Sequence, residues 1–142
     1  MNPRREFKSL QNANLTMKIT NHDFEKNIEK AREQLVIVEG KKDKDALQEL
    51  GFENIFVINE TGKSIYEKIE EIEEIAGKRK ICILTDFDKK GKKLYLLLKS
   101  ELSNRKVVLN NRFRSELLKF NISHIEGLSS FLKKNFSNQS VS

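Results

Sequence analysis

Leu35-Val-Ile-Val-Glu39-Gly40-Lys-Lys-Asp43 and Ile81-Cys-Ile-Leu-Thr-Asp86-Phe-Asp88-Lys-Lys-Gly91 are built alike: an apolar run that stops in acidic residues and a glycine. Apolar runs of four or five residues without polar alternation suit strands buried on both faces, as in a parallel sheet covered by helices. Carboxylates placed where such a strand stops stand at its carboxyl end, the edge at which open α/β sheets hold ligands. Glu39, Asp86 and Asp88, from two strands, are therefore expected to converge on one hard divalent cation.

Outward from these strands, periodicity sets an alternating order. Asn21 caps a helix over 22–34 that turns Phe24, Ile28, Ala31 and Leu35 to one side. Strand 35–39 follows, then a helix from Asp43 or Lys44 to Leu50 that Gly51 closes. Next come strand 55–58, a turn over Asn59–Ser64, a helix over 64–76 that Gly77 ends, and strand 81–85. A helix over 90–102, strand 106–109, a helix over 111–120, a short strand 122–125 and a helix over 128–136 complete the order. Strands alternating with helices predict an α/β fold, a mainly parallel sheet of four to five strands with right-handed crossovers and helices on both faces. Residues 1–20 show no periodicity and read as a mobile or loosely docked arm, 21–136 as a single domain and 137–142 as a disordered polar tail.

The chain has 142 residues, 34% of them charged and 37% hydrophobic, which suits one soluble globular domain. No apolar run approaches the roughly 20 residues of a membrane span, and the N-terminus does not read as a secretory signal. Cys82 is the single cysteine and lies in an apolar strand, so it reads as a buried structural thiol in a reducing cytoplasm. The net charge is +6, and lysines gather at 41, 42 and 44 and again at 89, 90, 92 and 93, directly after the acidic strand ends. Positive charge around a carboxylate centre is what a polyanion-binding metal site needs, although such runs also serve simply as solvated surface.

The order E-G-x-x-D-x-x-A-L at Glu39, Gly40, Asp43, Ala46 and Leu47, followed by D-x-D-x-x-G at Asp86, Asp88 and Gly91, resembles the two motifs of the Toprim family. That domain is shared by bacterial-type primases, topoisomerases, recombination mediators and certain nucleases. The likeness covers roughly residues 33–128. It implies a Toprim-like, Rossmann-like sheet. The chain looks most similar to small Toprim proteins related to the ribonuclease that matures 5S ribosomal RNA, on its Glu39-Gly40-Lys41 start, the Ile58…Ser64 turn and Ile125-Glu126-Gly127-Leu128. It differs from that enzyme in a longer Asn59–Gly62 turn, and is expected to lack that enzyme's sizeable C-terminal domain.

The resemblance implies that Asp86 and Asp88 hold Mg²⁺, with Mn²⁺ as a substitute, and that Glu39 is the general acid/base or a further ligand. Gly40 would let backbone approach a phosphate, and Gly91 would permit the tight turn into the next helix. Asp43 either caps its helix or supports the site. Lys41, Lys42, Lys89 and Lys92 would contact phosphates, and the helix start at Gly62-Lys63-Ser64 would accept one. ATP binding at that turn is excluded, because Val57 stands where a P-loop needs its first glycine. Arg112 and Arg114 either extend the basic face or are solvated helix surface. His124 reads as a core or edge histidine and His22 as a helix-flanking one. Without a Cys/His cluster, zinc is not expected.

Two functions follow. One is a Mg²⁺-dependent phosphodiester-cleaving enzyme acting on nucleic acid, structured RNA before DNA. The other is a non-catalytic nucleic-acid-binding module of a repair or RNA-processing complex, where a protein partner completes the binding surface. Topoisomerase action needs a tyrosine nucleophile in a gated domain, whereas Tyr66 and Tyr95 both fall on crossover helices.

Overall fold

Side chains along a strand point alternately to opposite faces, so a strand without polar residues needs cover on both sides. The computed structural model describes residues 13–60, 62–122, 124–128 and 130–131, with side chains from Asp23 onward. Its sheet is parallel, in the order β2 (Ile55–Val57), β1 (Leu35–Val38), β3 (Ile81–Ile83). Val36 pairs with Ile55 on one side and with Cys82 on the other, which makes β1 central. All four of its residues are buried.

Val36, Val38, Cys82 and Leu84 face a cluster with Phe24, Ile28 and Ala31 of α1 (Ala13–Glu33), Leu47 of α2 (Lys41–Glu49), and Phe113 and Leu117 of α5 (Arg112–Lys119). The intervening residues Leu35, Ile37, Ile81 and Ile83 face Ile69, Ile72 and Ala76 of α3 (Ile65–Ala76) and Leu98 and Leu102 of α4 (Lys89–Asn104). Helices thus cover both faces, as expected. Burial pushes the Cys82 thiol up to about 12, so it packs as a small hydrophobe.

The helix expected from residue 22 begins at Ala13, so residues 13–20 of the segment read as an arm are helical; its first twelve residues lie outside the described residues. The sheet is smaller than the four to five strands expected. Segment 106–109 is reduced to a single parallel bridge, Ile81 with Leu109. Of segment 122–125 the described residues 122, 124 and 125 are in no strand, and a 3-10 turn occupies Ile125–Gly127.

Both segments follow a left-handed helix end. A helix can close by a left-handed residue whose successor sends its N–H back to the helix's last turn. Gly51 does this for α2 at φ 88°, with Phe52 N–H donating to the Leu47 carbonyl. Lys106 at φ 61° and Asn121 at φ 57° do the same without being glycine. Val107 N–H therefore goes to the Leu102 carbonyl at 3.3 Å, and Ile122 N–H to the Leu117 carbonyl at 3.4 Å. Both segments thus start on a helix end, and what pairing with β3 remains runs through the Val108 carbonyl and the Asn110 N–H. The 128–136 helix and the 137–142 tail lie almost wholly outside the described residues.

Candidate metal centre

The site is assembled where β1 and β3 stop. Beyond Val38 the backbone continues alongside its neighbours, with Leu84 N–H donating to the Ile37 carbonyl at 2.7 Å and Asn59 N–H to that of Glu39 at 2.9 Å. These bonds hold the carboxylate of Glu39, only 9% exposed, against the second motif, where its Oε2 accepts the Asp86 N–H at 3.2 Å. Burial raises the pKa of Glu39; the Asp86 N–H opposes this, and the negative charges of Asp86 and Asp88 add to it.

Asp43 sits in the first turn of α2 and accepts the Gly40 N–H at 3.1 Å, the reciprocal half of a capping box. It is buried too, and burial pushes its pKa up against that hydrogen bond. The capping role raised for Asp43 is the one this bond shows. Asp88 caps α4 through Oδ1, which accepts the Gly91 N–H at 2.8 Å. Asp86 Oδ1 accepts the N–H of Ile125 at 3.0 Å, so the chain's later turn is fastened to the first aspartate of D-x-D.

The two motif glycines differ. A Cβ on Gly91 would stand 2.0 Å from the Asp86 carbonyl oxygen, a backbone clash that only glycine avoids. On Gly40 it would meet Asp43 Oδ2 at 4.0 Å, an ordinary contact. The need at Gly91 is thus close approach rather than an unusual φ. Thr85 Oγ1 donates to the Gly91 carbonyl at 2.8 Å and completes the clamp between strand end and helix start.

Arg114, only 4% exposed, lies behind this loop rather than on a solvated face. Its guanidinium donates to the Thr85 carbonyl at 2.7 Å and to the Ile83 carbonyl at 3.3 Å, and stacks on the rings of Tyr95 (4.1 Å) and Phe87 (4.5 Å). It satisfies carbonyls that no fourth strand reaches.

Two groups of ligand atoms result, each within 4.8 Å of one another: Glu39 with Asp43 and Asp86, and Asp86 with Asp88 and His124. The expected trio of Glu39, Asp86 and Asp88 is thereby divided, with Asp86 common to both halves. Clustered carboxylate oxygens suit a hard divalent ion, which takes one or two carboxylates and keeps waters for substrate to replace. The centre opens into a cleft of about 390 Å³ rimmed by Lys41, Lys42 and Lys90, with Asn59, His124 and Glu126 also in its wall. A larger cleft of about 660 Å³ lies at the opposite, amino edge of the sheet by Gln34 and Lys80 and has no such cluster.

Of the expected phosphate contacts, Lys41 and Lys42 line the cleft, whereas Lys89 and Lys92 give way to Lys90. The Gly62-Lys63-Ser64 turn is not brought there. Ser64 Oγ accepts the Glu67 N–H at 3.2 Å as the cap of α3, and Lys63 is held by Glu71 at 3.3 Å. A helix start already capped and lined by Glu67 repels phosphate. Sequence reasoning missed His124 and Glu126 as site residues, since only the Ile125 bond to Asp86 brings them in. It also left Arg114 on the surface, although the i, i+3 spacing of Arg114 from Leu117 offered a signal that it faces inward.

Parallel strands carrying a carboxylate cluster at their carboxyl ends define an α/β domain with a candidate cation centre. Residues 34–119 match the Toprim domain, and the chain belongs to that family. UPF0292 protein MJ1624 of Methanocaldococcus jannaschii is 34% identical over 109 residues, covering 73% of this chain and 82% of that protein. Ribonuclease M5 of Mesoplasma florum is 39% identical over 62 residues, 43% of this chain and 35% of its own length. A solved structure from Aquifex aeolicus superposes with a TM-score of 0.63 at 33% identity, covering 74% of this chain and 94% of that one.

Proposed function

We propose that this Toprim protein is a metal-dependent nuclease that hydrolyses phosphodiester bonds in structured RNA, using Mg²⁺ (Mn²⁺ in its place) in the cytoplasm. One observation carries the reading: the buried Glu39 carboxylate meets the Asp86 backbone at 3.2 Å across two strand ends, under a rim of lysines. The likeness to ribonuclease M5 supports RNA as the substrate.

A bound divalent ion would polarise the scissile phosphate and stabilise its developing charge. Asp86 and Asp88 would hold that ion, and Lys41, Lys42 and Lys90 would position the strand through its phosphates. Glu39 is placed to take a proton from the attacking water as the new P–O bond forms. The same carboxyl then returns a proton to the leaving ester oxygen as the old bond breaks. Its raised pKa suits the second role, and an adjacent cation, by lowering that pKa, suits the first.

Glu39→Gln and Asp86→Asn should each abolish metal-dependent cleavage of structured RNA. Undiminished cleavage by both variants refutes the mechanism. RNA binding indifferent to Mg²⁺, without turnover, identifies a non-catalytic nucleic-acid-binding module instead.

A further inference from the structure

After α5 the chain returns to the centre. The Ile125 N–H on Asp86 Oδ1, at 3.0 Å, fixes the backbone of the 3-10 turn against that carboxylate. The residue just before it, His124, is thereby held with Nε2 at 3.7 Å from Asp88 Oδ2. One nitrogen of its ring and one oxygen each of Asp86 and Asp88 lie within 4.8 Å of one another. We propose that His124 is a third ligand to the ion held by Asp86 and Asp88, and that it biases this position toward a divalent first-row transition ion over Mg²⁺. The inference rests on reading the two aspartates as metal ligands.

The His124–Asp88 pair already stands at a coordinating separation. Ligand atoms at about 2.1 Å from a common ion lie roughly 3–4 Å apart, and 3.7 Å falls inside that range. Asp88 Oδ1 is taken by the helix cap, which leaves Oδ2, the oxygen facing the imidazole, for an ion. His124 is half-exposed on the cleft wall, so water and a phosphate oxygen can reach the remaining positions of the shell. Mg²⁺ prefers an all-oxygen shell of near-ideal octahedral form, whereas an imidazole nitrogen is a normal ligand for softer divalent ions. Glu39 and Asp43, grouped with the same Asp86, offer oxygen alone. One aspartate therefore joins two environments of different softness.

Mn²⁺, which carries an electron-spin signal, is the probe. Pulsed electron-spin-echo spectra of the Mn²⁺-loaded protein should carry nitrogen modulation from an imidazole. The chain has only two histidines, so the modulation should persist in His22→Gln and vanish in His124→Gln. Mn²⁺ affinity should fall at least about tenfold in His124→Gln, the scale on which metal sites respond even to loss of a supporting partner. Mg²⁺ affinity, read by competition, should change less than about twofold. Mn²⁺ bound without nitrogen modulation, or Mn²⁺ affinity untouched in His124→Gln, overturns the assignment of His124 while leaving the aspartate centre standing. Failure of the wild-type protein to take up Mn²⁺, or full Mn²⁺ affinity in Asp86→Asn, overturns the centre itself and this inference with it.

Discussion

Gly91→Ala should disable the centre without touching a single ligand. The added methyl would stand 2.0 Å from the Asp86 carbonyl oxygen, 2.6 Å from its carbon and 2.9 Å from its Cα. A relaxed carbon–oxygen contact is about 3.3 Å, so the strand end and the start of α4 must part by roughly 1.3 Å. Backbone on both sides has no rotamer with which to yield. Overpacking of this kind costs about 1–3 kcal/mol. Parting the elements also strains the 2.8 Å bond from Gly91 N–H to Asp88 and the 2.8 Å bond from Thr85 to the Gly91 carbonyl. A hydrogen bond to a charged group contributes about 1.5–3 kcal/mol, and the better helix propensity of alanine returns about 1 kcal/mol. The net loss is about 1.5–5 kcal/mol, a fall in urea midpoint of roughly 1–3.3 M at a slope near 1.5 kcal/mol/M. Displacing Asp86 and Asp88 by that distance should lower divalent-ion affinity as well. Gly40→Ala is the control. Its methyl meets nothing closer than 4.0 Å, and it should cost under about 1 kcal/mol, the scale of a weakened helix cap. Urea unfolding and Mn²⁺ titration of both variants decide the matter. A Gly91→Ala protein within about 0.5 kcal/mol of wild type, the range of an ordinary surface change, refutes the close-approach argument.

Three further outcomes follow from the site. Because burial raises Glu39 and Asp43 above their ordinary values, the folded protein keeps protons that the unfolded chain has released. Metal-free stability should therefore fall as pH rises from about 4.5 through the folded values, and Glu39→Gln should flatten the fall and unfold later than wild type at neutral pH; equal profiles in thermal denaturation would refute it. Replacing Lys41, Lys42 or Lys90 by alanine should reduce the salt slope of RNA binding by about 0.7–0.9 each, whereas Lys63→Ala, whose ammonium is held by Glu71, should leave it unchanged in filter-binding titrations. Arg114→Met should destabilise by about 2–4 kcal/mol by orphaning the Thr85 and Ile83 carbonyls, with Arg114→Lys intermediate, since an ammonium cannot reproduce the guanidinium fork; chemical denaturation of the three proteins provides the comparison.

The order of elements from β1 to α4 was legible because unbroken apolar strands and 3.6-residue helical stripes are strong local signals. Leu35–Val38 and Ile81–Ile83 could be read from composition alone, and the acids that follow them marked the site. The expectation of strands at 106–109 and 122–125 fails where each apolar segment starts directly on a left-handed helix end, at Lys106 and at Asn121. Glycine advertises a left-handed helix stop, as at Gly51; lysine does not, and asparagine does so only weakly. The division of the carboxylates into two groups was likewise hidden, because it depends on Asp43 turning back to its own helix start and on Ile125 docking on Asp86. Both are consequences of tertiary packing. His124, a lone histidine in a short apolar stretch, carried no sign of them.

The Cys82 side chain, sealed in the central layer with its ionisation pushed up to about 12, has a practical corollary. Maleimides and alkylating reagents act on thiolate, so the native chain should behave toward them as though it had no cysteine. A cysteine introduced at an exposed position such as Leu96, on the outer side of α4, becomes the sole reactive handle. Spin labels or fluorophores can then be attached at one chosen point without first removing the natural sulfur from the core.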